Sequence, residues 1–206
     1  MAIAFHHRDP DAGGRGEYPR VALFPGAWNP PTVAHYAIAR AALTWADEVV
    51  WVLPRAFPHK GFEGADFNRR LEMLKAIAGA QTGFSAAVSD AGLYIGIADE
   101  AREYFGPDAA IGLLCGRDAA ERIATWDYGE PGVFDRMLER YLLLVASRGG
   151  HYAPASHHAE RIVPLDMGTG FDEVSSTEVR DRIRRGEAWE HLAPAAIRDA
   201  IRAAYR

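Results

Sequence analysis

The sequence contains a single cysteine, Cys115, among its 206 residues. A lone cysteine cannot form an internal disulfide, and it lacks the second thiolate that a cysteine-based zinc motif requires. The flanking sequence IGLLCGRD suggests the end of a strand. We therefore expect Cys115 to be a buried, inert thiol that packs as a small hydrophobic side chain.

Long apolar runs and an excess of basic charge are also missing. No stretch approaches the roughly 18 apolar residues that can span a bilayer, and the start, MAIAFHHRDP, is too short and polar for a secretory signal. We expect a soluble, cytoplasmic protein with no membrane partner. The net charge of −5 argues against a nucleic-acid partner, because such binding usually needs a broad basic face. Any anion site must be local.

The remaining composition, 49% hydrophobic and 25% charged, is that of an ordinary globular domain. Residues 1–20 are polar and aperiodic, and we interpret them as a loose N-terminal arm. Residues 21–206 are predicted to form one domain, which includes C-terminal helices from about residue 175. Gly186 is placed to end the first of these helices and Pro194 to open the second.

From Val21 onward, apolar runs alternate with amphipathic stretches, which predicts strands separated by helices. Near-continuous apolar strands are typical of parallel sheets that helices cover on both faces. We predict an α/β fold: a Rossmann-like, doubly wound, mainly parallel sheet with a C-terminal helical extension. Its ligands should bind beyond the carboxyl ends of the strands. The predicted strands are VALF, EVVWVLP, FSAAV, AAIGLLC, YLLLVA and RIVPL.

The segment FPGAWNPPTVAHYAIARAAL predicts a strand, a tight turn and a helix whose first turn carries Thr32 and His35. Three-residue spacing puts both side chains on one face. A helix N-terminus attracts phosphate, and His35 can donate a hydrogen bond to phosphate oxygens, although a histidine at this position is often only a cap. The segment resembles the signature of the nucleotidylyltransferase superfamily through Gly26, Trp28, Asn29, Pro30, Thr32 and His35.

Pro25 and Ala34 depart from that signature, since glycine is usual at both positions in the family. Either residue narrows the room for backbone to approach a phosphate. A second segment, VSSTEVRDRIRRG, resembles the C-terminal motif of the superfamily. Ser175 and Glu178 could form a capping box there without any further role.

Two further segments resemble bacterial nicotinate mononucleotide adenylyltransferases. PHKGFEGADFNRRLEML contains His59, Lys60 and the matching run 70–74, and CGRDAAERIATW contains Gly116, Asp118 and Trp126. The turn SRG, with Arg148, resembles an Arg-Pro-Gly turn of the family. The segment AGLYIGIADEA keeps Tyr94 and Asp99 but lacks the threonines that hold the acceptor in these enzymes.

The resemblance implies transfer of AMP from ATP to a phosphate-bearing acceptor, with nicotinate mononucleotide favoured, to release pyrophosphate and form a dinucleotide of NAD biosynthesis. It implies catalytic roles for His35, Thr32, Lys60 and Arg180. It implies acceptor contacts by Lys60, Tyr94, Trp126 and Arg148, with Trp126 stacked on the pyridine ring. The implied ATP-binding residues are Gly26, Ala27, Trp28, Asn29, His35, Gly116, Asp118, Ser175, Ser176, Thr177 and Arg180.

Magnesium is expected to bind with ATP rather than in a protein cage, because it often keeps water and phosphate ligands. His151, His157 and His158 are interpreted as a polar loop, since no cysteine or carboxylate spacing near them defines a metal site. Three alternatives stay open: nicotinamide mononucleotide as the acceptor, phosphopantetheine as the acceptor, or a non-catalytic protein that binds a nucleotide for regulation. The sequence does not decide whether the protein is a homo-oligomer.

Overall fold

The computed structural model describes residues 3–12, 19–56, 64–147 and 152–205. Seven strands form one sheet in the order β1-β4-β3-β2-β5-β6-β7. Every neighbouring pair is parallel except β1 and β4, which are antiparallel. The strands are β1 (Ala4–His7), β2 (Arg20–Pro25), β3 (Glu48–Pro54), β4 (Phe84–Ser89), β5 (Ala110–Gly116), β6 (Leu142–Ala146) and β7 (Ile162–Leu165).

Helices cover both faces of this sheet. They are α1 (Val33–Ala42), α2 (Phe67–Gly79), α3 (Tyr94–Phe105), α4 (Arg117–Thr125), α5 (Val133–Arg140), α6 (Ser176–Arg185) and α7 (Arg198–Ala204). Buried residues of α1, α2, α6 and α7 share one hydrophobic cluster, and those of α3, α4 and α5 share the other. The predicted doubly wound α/β fold is confirmed.

The central strands are apolar on both sides because both of their faces are covered. All seven residues of β3 are buried. Trp51 of this strand packs in the first cluster with Phe24 of β2, whereas Val50 and Val52 belong to the second. Side chains alternate along each strand, so they pack into two hydrophobic clusters, one on each side of the sheet.

The strand order reverses direction next to β2, because β3 pairs with one edge of β2 and β5 pairs with the other. Such a switch point leaves a crevice at the carboxyl ends of the strands, where the flanking helices lie on opposite faces. The loops after β2 and β5 open into this crevice. The fold thus fixes where a ligand can bind before any side chain is considered.

The predicted C-terminal helices are present. Helix α6 ends at Gly186, whose φ of 68° is left-handed and satisfies the backbone at the helix end. Pro194 precedes the 3-10 turn Ala195–Ile197, which leads directly into α7. Ile197 and Ile201 are fully buried, so this extension is part of the first hydrophobic cluster.

The expectation of a loose arm before Val21 is wrong for residues 4–7, which form β1 and pair with β4 from Ala4 to His7. The strand escaped prediction because it is short and lies at an edge, with alternating exposed and half-buried residues instead of an apolar run. Just after it, Arg8 pairs with the buried carboxylate of Glu48, with Nη2 and Oε2 3.1 Å apart. Ser85 donates a second hydrogen bond to Glu48 over 2.5 Å.

Among the described residues, no helix has the length and apolar character needed to cross a membrane.

The contact between Arg8 and Glu48 can be tested by Arg8→Met. The substitution leaves a buried carboxylate without its cation, so we expect the free energy of unfolding to fall by about 1–3 kcal/mol. The control is Lys75→Met, which removes an exposed ion pair with Glu72 and should change the free energy by about 0–1 kcal/mol. Urea denaturation measures both values. Equal effects would mean that the contact between Arg8 and Glu48 contributes no more to stability than an exposed surface pair.

Candidate functional site

A cleft of about 850 Å³ opens at the switch point of the sheet. Its walls include the carboxyl ends of four strands, at Pro25 of β2, Pro54 of β3, Gly116 of β5 and Ala146 of β6. The starts of α1, α4 and α6 line it as well. Helix N-termini carry unpaired N–H groups and a partial positive charge, so the cleft is suited to anionic ligands.

The turn between β2 and α1, residues 26–32, is shaped by a buried tryptophan. Trp28 has a positive φ of 54°, and its indole Nε1 donates to the carbonyl of Val52 over 2.8 Å. The ring lies so close to Gly26 that an added Cβ there would come within 2.7 Å of it. Trp28 borders the cleft and its ring is buried in the core, so its contact with ATP stays a prediction. The requirement for glycine at position 26 comes from this ring.

Thr32 and His35 form a reciprocal cap at the start of α1. The Thr32 hydroxyl accepts from the His35 main-chain N–H, and the Thr32 N–H donates to His35 Nδ1 over 3.0 Å. The Thr32 side chain is fully buried. In this structure Thr32 orients His35, and direct contact of Thr32 with phosphate stays a prediction.

This cap also decides which nitrogen of His35 carries a proton. Nδ1 accepts a hydrogen bond from a main-chain N–H, so a neutral imidazole must hold its proton on Nε2. His35 lines the cleft. The cap uses the Nδ1 side of the ring, so it is compatible with a role for His35 in which Nε2–H is the donor.

The second motif joins the first one directly. Ser176 Oγ donates to the carbonyl of Pro30 over 2.7 Å, and Arg180 Nη1 donates to the carbonyl of Asn29 over 2.6 Å. Arg180 Nη2 also lies 3.3 Å from the hydroxyl of Thr177. Residues separated by 146 positions in the chain therefore meet at the cleft, as the sequence predicted for the two motifs.

Ser175 is the N-cap of α6, and its hydroxyl accepts from the Glu178 N–H over 3.0 Å. The carboxylate of Glu178 pairs with Arg182, with Oε1 and Nε 2.6 Å apart. Capping thus accounts for the Ser175 hydroxyl. Ser175, Ser176, Thr177 and Arg180 all line the cleft, so the cap also presents the first turn of α6 to a ligand.

Three further residues hold the turn, and none of them was among the predicted site residues. The Tyr205 hydroxyl donates to Asn29 Oδ1 over 2.5 Å, and the same oxygen accepts from the Ala65 N–H over 3.3 Å. Arg70 is buried on α2 and donates to the carbonyl of Ala27 over 2.9 Å. Burial raises the pKa of Tyr205, which keeps its hydroxyl a donor. The amide oxygen of Asn29 thus links the turn to Tyr205 and Ala65, and a contact of Asn29 with ATP stays a prediction.

The opposite wall of the cleft carries the predicted nucleotide and acceptor residues of α3 and α4. Gly116 is the N-cap of α4, Asp118 is exposed in its first turn, and Trp126 follows its last residue with 36% exposure. Tyr94 begins α3, and burial raises the pKa of its hydroxyl well above the usual range. All four residues line the cleft.

Cys115 is buried beneath this wall, and burial raises the pKa of its thiol. The predicted inert thiol is confirmed. Asp99, in contrast, is not among the cleft residues: it accepts from Tyr141 over 2.6 Å and pairs with Arg140 at 2.9 Å. Its role is to join α3 to the end of α5.

Lys60 and Arg148 lie outside the described residues, as do His59 and His151, so their roles stay predictions. His157 and His158 lie in the 3-10 helix Ser156–Arg161 rather than in an irregular loop. A carboxylate does approach them, because His158 Nε2 is 2.7 Å from Asp135 Oδ1 of α5. The ligand atoms of Asp135, His157 and His158 lie within 4.8 Å of one another, and Asp135 and His158 border a separate cavity of about 540 Å³.

In this protein the switch point of a parallel sheet opens onto helix N-termini that can bind phosphate. This is the architecture of a nucleotide-binding α/β protein. The family model described as cytidylyltransferase-like matches residues 23–182. The chain belongs to this family, and it is a nucleotidyltransferase.

Curated relatives cover nearly the whole chain. A probable nicotinate-nucleotide adenylyltransferase from Anaeromyxobacter dehalogenans (strain 2CP-C) is 33% identical over 192 residues, which cover 89% of this chain and 91% of the relative. A probable nicotinate-nucleotide adenylyltransferase from Gloeobacter violaceus is 31% identical over 202 residues, with 86% and 91% covered.

A solved structure supports the same fold. Nicotinic acid mononucleotide adenylyltransferase from Plasmodium falciparum, complexed with NaAD, superposes with a TM-score of 0.69. The match covers 90% of this chain and 96% of that one at 16% identity. At this identity the likeness establishes the architecture alone.

The support of the turn by Tyr205 can be tested with Tyr205→Phe. Asn29 Oδ1 then loses its short hydrogen bond from the Tyr205 hydroxyl, so the free energy of unfolding should fall by about 1 kcal/mol. Tyr104→Phe is the control, because that hydroxyl is exposed and contacts Arg8 at 3.3 Å, and it should change the free energy by less than about 0.5 kcal/mol. Urea titration compares the two. No loss for Tyr205→Phe would show that the turn does not depend on this hydroxyl.

Proposed function

We propose that this protein is a nicotinate-nucleotide adenylyltransferase, which transfers the adenylyl group of ATP to nicotinate mononucleotide. The observation that carries the proposal is the direct contact between the N-terminus of α6 and the turn before α1, because both helix N-termini can bind phosphate. Ser176 and Arg180 of α6 bind the turn that precedes α1, so both N-termini face one cleft. The printed names of the curated relatives support the same activity.

In the proposed reaction, a phosphate oxygen of the acceptor attacks the α-phosphorus of ATP in line. A new P–O bond forms, the bond from the α-phosphorus to the bridging oxygen breaks, and pyrophosphate leaves with that bonding pair. No covalent enzyme intermediate is needed. The protein therefore acts mainly by positioning the two phosphates and by stabilising the charge that develops between them.

His35 is proposed to donate from Nε2 to the α-phosphate, since Thr32 holds its other nitrogen. A preorganised donor stabilises transition-state charge without reorganising at the moment of reaction. Thr32 contributes by fixing the imidazole. The N–H groups at the start of α1 add their partial positive charge.

Arg180, Ser176 and Thr177 are proposed to contact the β and γ phosphates. One nitrogen of Arg180 donates a hydrogen bond to the carbonyl of Asn29, but a guanidinium has five N–H donors. It can hold the turn and a phosphate together. Lys60 and Arg148 are proposed to add charge at the phosphates and at the acceptor, on the strength of the family resemblance alone.

Magnesium is proposed to accompany ATP. Asp118 is the only carboxylate among the described residues that line the cleft, so this donor set does not form a protein cage for a cation. It does fit an ion that phosphate and water oxygens coordinate for the most part. When bound, such an ion neutralises phosphate charge.

A second candidate is the same chemistry with nicotinamide mononucleotide or phosphopantetheine as the acceptor. The loss of the family's acceptor threonines, where Ile95 now follows Tyr94, is the observation that favours it. The regulatory alternative has less support, because the curated relatives carry the names of enzymes.

The test is pyrophosphate release from magnesium ATP, with nicotinate mononucleotide, nicotinamide mononucleotide and phosphopantetheine offered separately. We expect release with nicotinate mononucleotide, and His35→Ala should lower the turnover number by about 10²- to 10⁴-fold, the range for a positioned proton donor.

His191→Ala, at an exposed histidine outside the cleft, is the matched control and should keep the wild-type rate. Release with another acceptor alone would replace the substrate and keep the mechanism. Near-normal turnover by His35→Ala would rule out the role given to Nε2.

A further inference from the structure

The acceptor wall of the cleft lacks a hydroxyl where the family has one. Resemblance implies that a threonine after Tyr94 holds the acceptor, but this chain has Ile95. An isoleucine side chain has no hydrogen-bond donor. Nicotinate and nicotinamide rings differ only in a carboxylate against a carboxamide, so a protein that separates them needs a donor or a cation near that group.

Three arginines are the cations among the described residues that line the cleft: Arg117, Arg122 and Arg180. Arg180 lies at the turn before α1, where it holds the carbonyl of Asn29. Arg117 pairs with Glu121, with Nε and Oε1 3.4 Å apart. Arg122 takes part in neither of these contacts.

Arg122 uses one nitrogen within its own helix, where Nε donates to the carbonyl of Asp118 over 3.2 Å. Within the described ranges of the chain, its two terminal nitrogens have no hydrogen-bond or ion-pair partner. The guanidinium is thus anchored at one end and presents a flat pair of donors at the other. That geometry matches a carboxylate, which can accept two parallel N–H bonds.

The position of Arg122 is on the acceptor side. Asp118, Arg122 and Trp126 are spaced by four residues and all line the cleft, so they form one stripe along α4 and its end. Tyr94 and Tyr128 line the same region. Burial raises the pKa of Tyr94, and the positive charge of Arg122 opposes that rise, which is consistent with a guanidinium close to the Tyr94 hydroxyl.

We propose that Arg122 binds the carboxylate of the acceptor ring and thereby selects nicotinate mononucleotide over nicotinamide mononucleotide. The inference rests on the proposed function and adds a specificity residue to it. A carboxamide offers one oxygen and turns an NH₂ group toward the cation, so it loses the paired, charge-assisted contact. In this chain a cation from α4 replaces the missing hydroxyl of α3.

The experiment compares Arg122→Gln, Arg122→Lys and wild type, with kcat/KM measured for nicotinate mononucleotide and for nicotinamide mononucleotide. Arg122→Gln should lower the ratio of the two values by about 10- to 100-fold, the worth of one charged hydrogen-bonded contact. The loss should lie in the KM for nicotinate mononucleotide, with the KM for ATP unchanged. Arg122→Lys keeps the charge without the fork and should recover part of the ratio.

The control is Arg136→Gln, since Arg136 pairs with Glu130 away from the cleft and should leave the ratio at the wild-type value. Equal losses for both acceptors in Arg122→Gln, or an unchanged ratio, would overturn the inference and leave the proposed function intact.

Binding without turnover separates the two proposals. Quenching of tryptophan fluorescence, to which the exposed Trp126 contributes, gives the Kd of each mononucleotide. Wild type that binds nicotinate mononucleotide more tightly, with this preference lost in Arg122→Gln, supports the inference even if another acceptor turns over. Wild type that shows no preference in binding overturns it, whichever acceptor reacts.

Discussion

The turn between β2 and α1 depends on side chains that satisfy its carbonyl oxygens. It contains two consecutive prolines, Pro30 and Pro31, so it has few N–H groups with which to bond itself. Three side chains donate to carbonyl oxygens of the turn: Arg70 to that of Ala27, Ser176 to that of Pro30 and Arg180 to that of Asn29. Buried carbonyls without donors would be costly, so these donors stabilise the conformation that points α1 at the cleft.

This constraint explains why residues that resemble a ligand-binding motif also hold the fold. Arg180 contacts the Asn29 carbonyl, and Thr32 contacts His35 rather than the cleft. Binding and architecture thus share the same side chains, so substitutions in the motifs affect both rate and stability. Tyr205 contacts the turn and is not among the cleft residues, so a substitution there separates these effects more cleanly.

Local pattern was sufficient to predict the central elements. Strand β3 and helix α6 follow from an apolar run and from a cap with a terminal glycine, both of which lie within about ten residues of sequence. Strand β1 could not be found in this way, because an edge strand needs no apolar run and its stability comes from the pairing with β4.

The features of the site were likewise predictable only in part. The resemblance of the motifs implied that His35, Asp118 and Ser176 share a site, and all three line the cleft. The burial of Thr32 and Trp28 was not predictable in this way, because it depends on how distant segments pack. The bond from Tyr205 to Asn29 joins residues 176 positions apart, and no local pattern carries that information.

During synthesis on the ribosome, the contacts that α6 and Tyr205 make with the turn form late, because these segments follow all seven strands of the described chain. All seven strands precede residue 166, so the sheet can assemble while the later segments are still being translated. Arg70 can support the turn early, but the contacts from Ser176, Arg180 and finally Tyr205 form only when these residues have left the exit tunnel. A nascent chain can therefore complete its sheet before the turn between β2 and α1 has all of its supporting contacts.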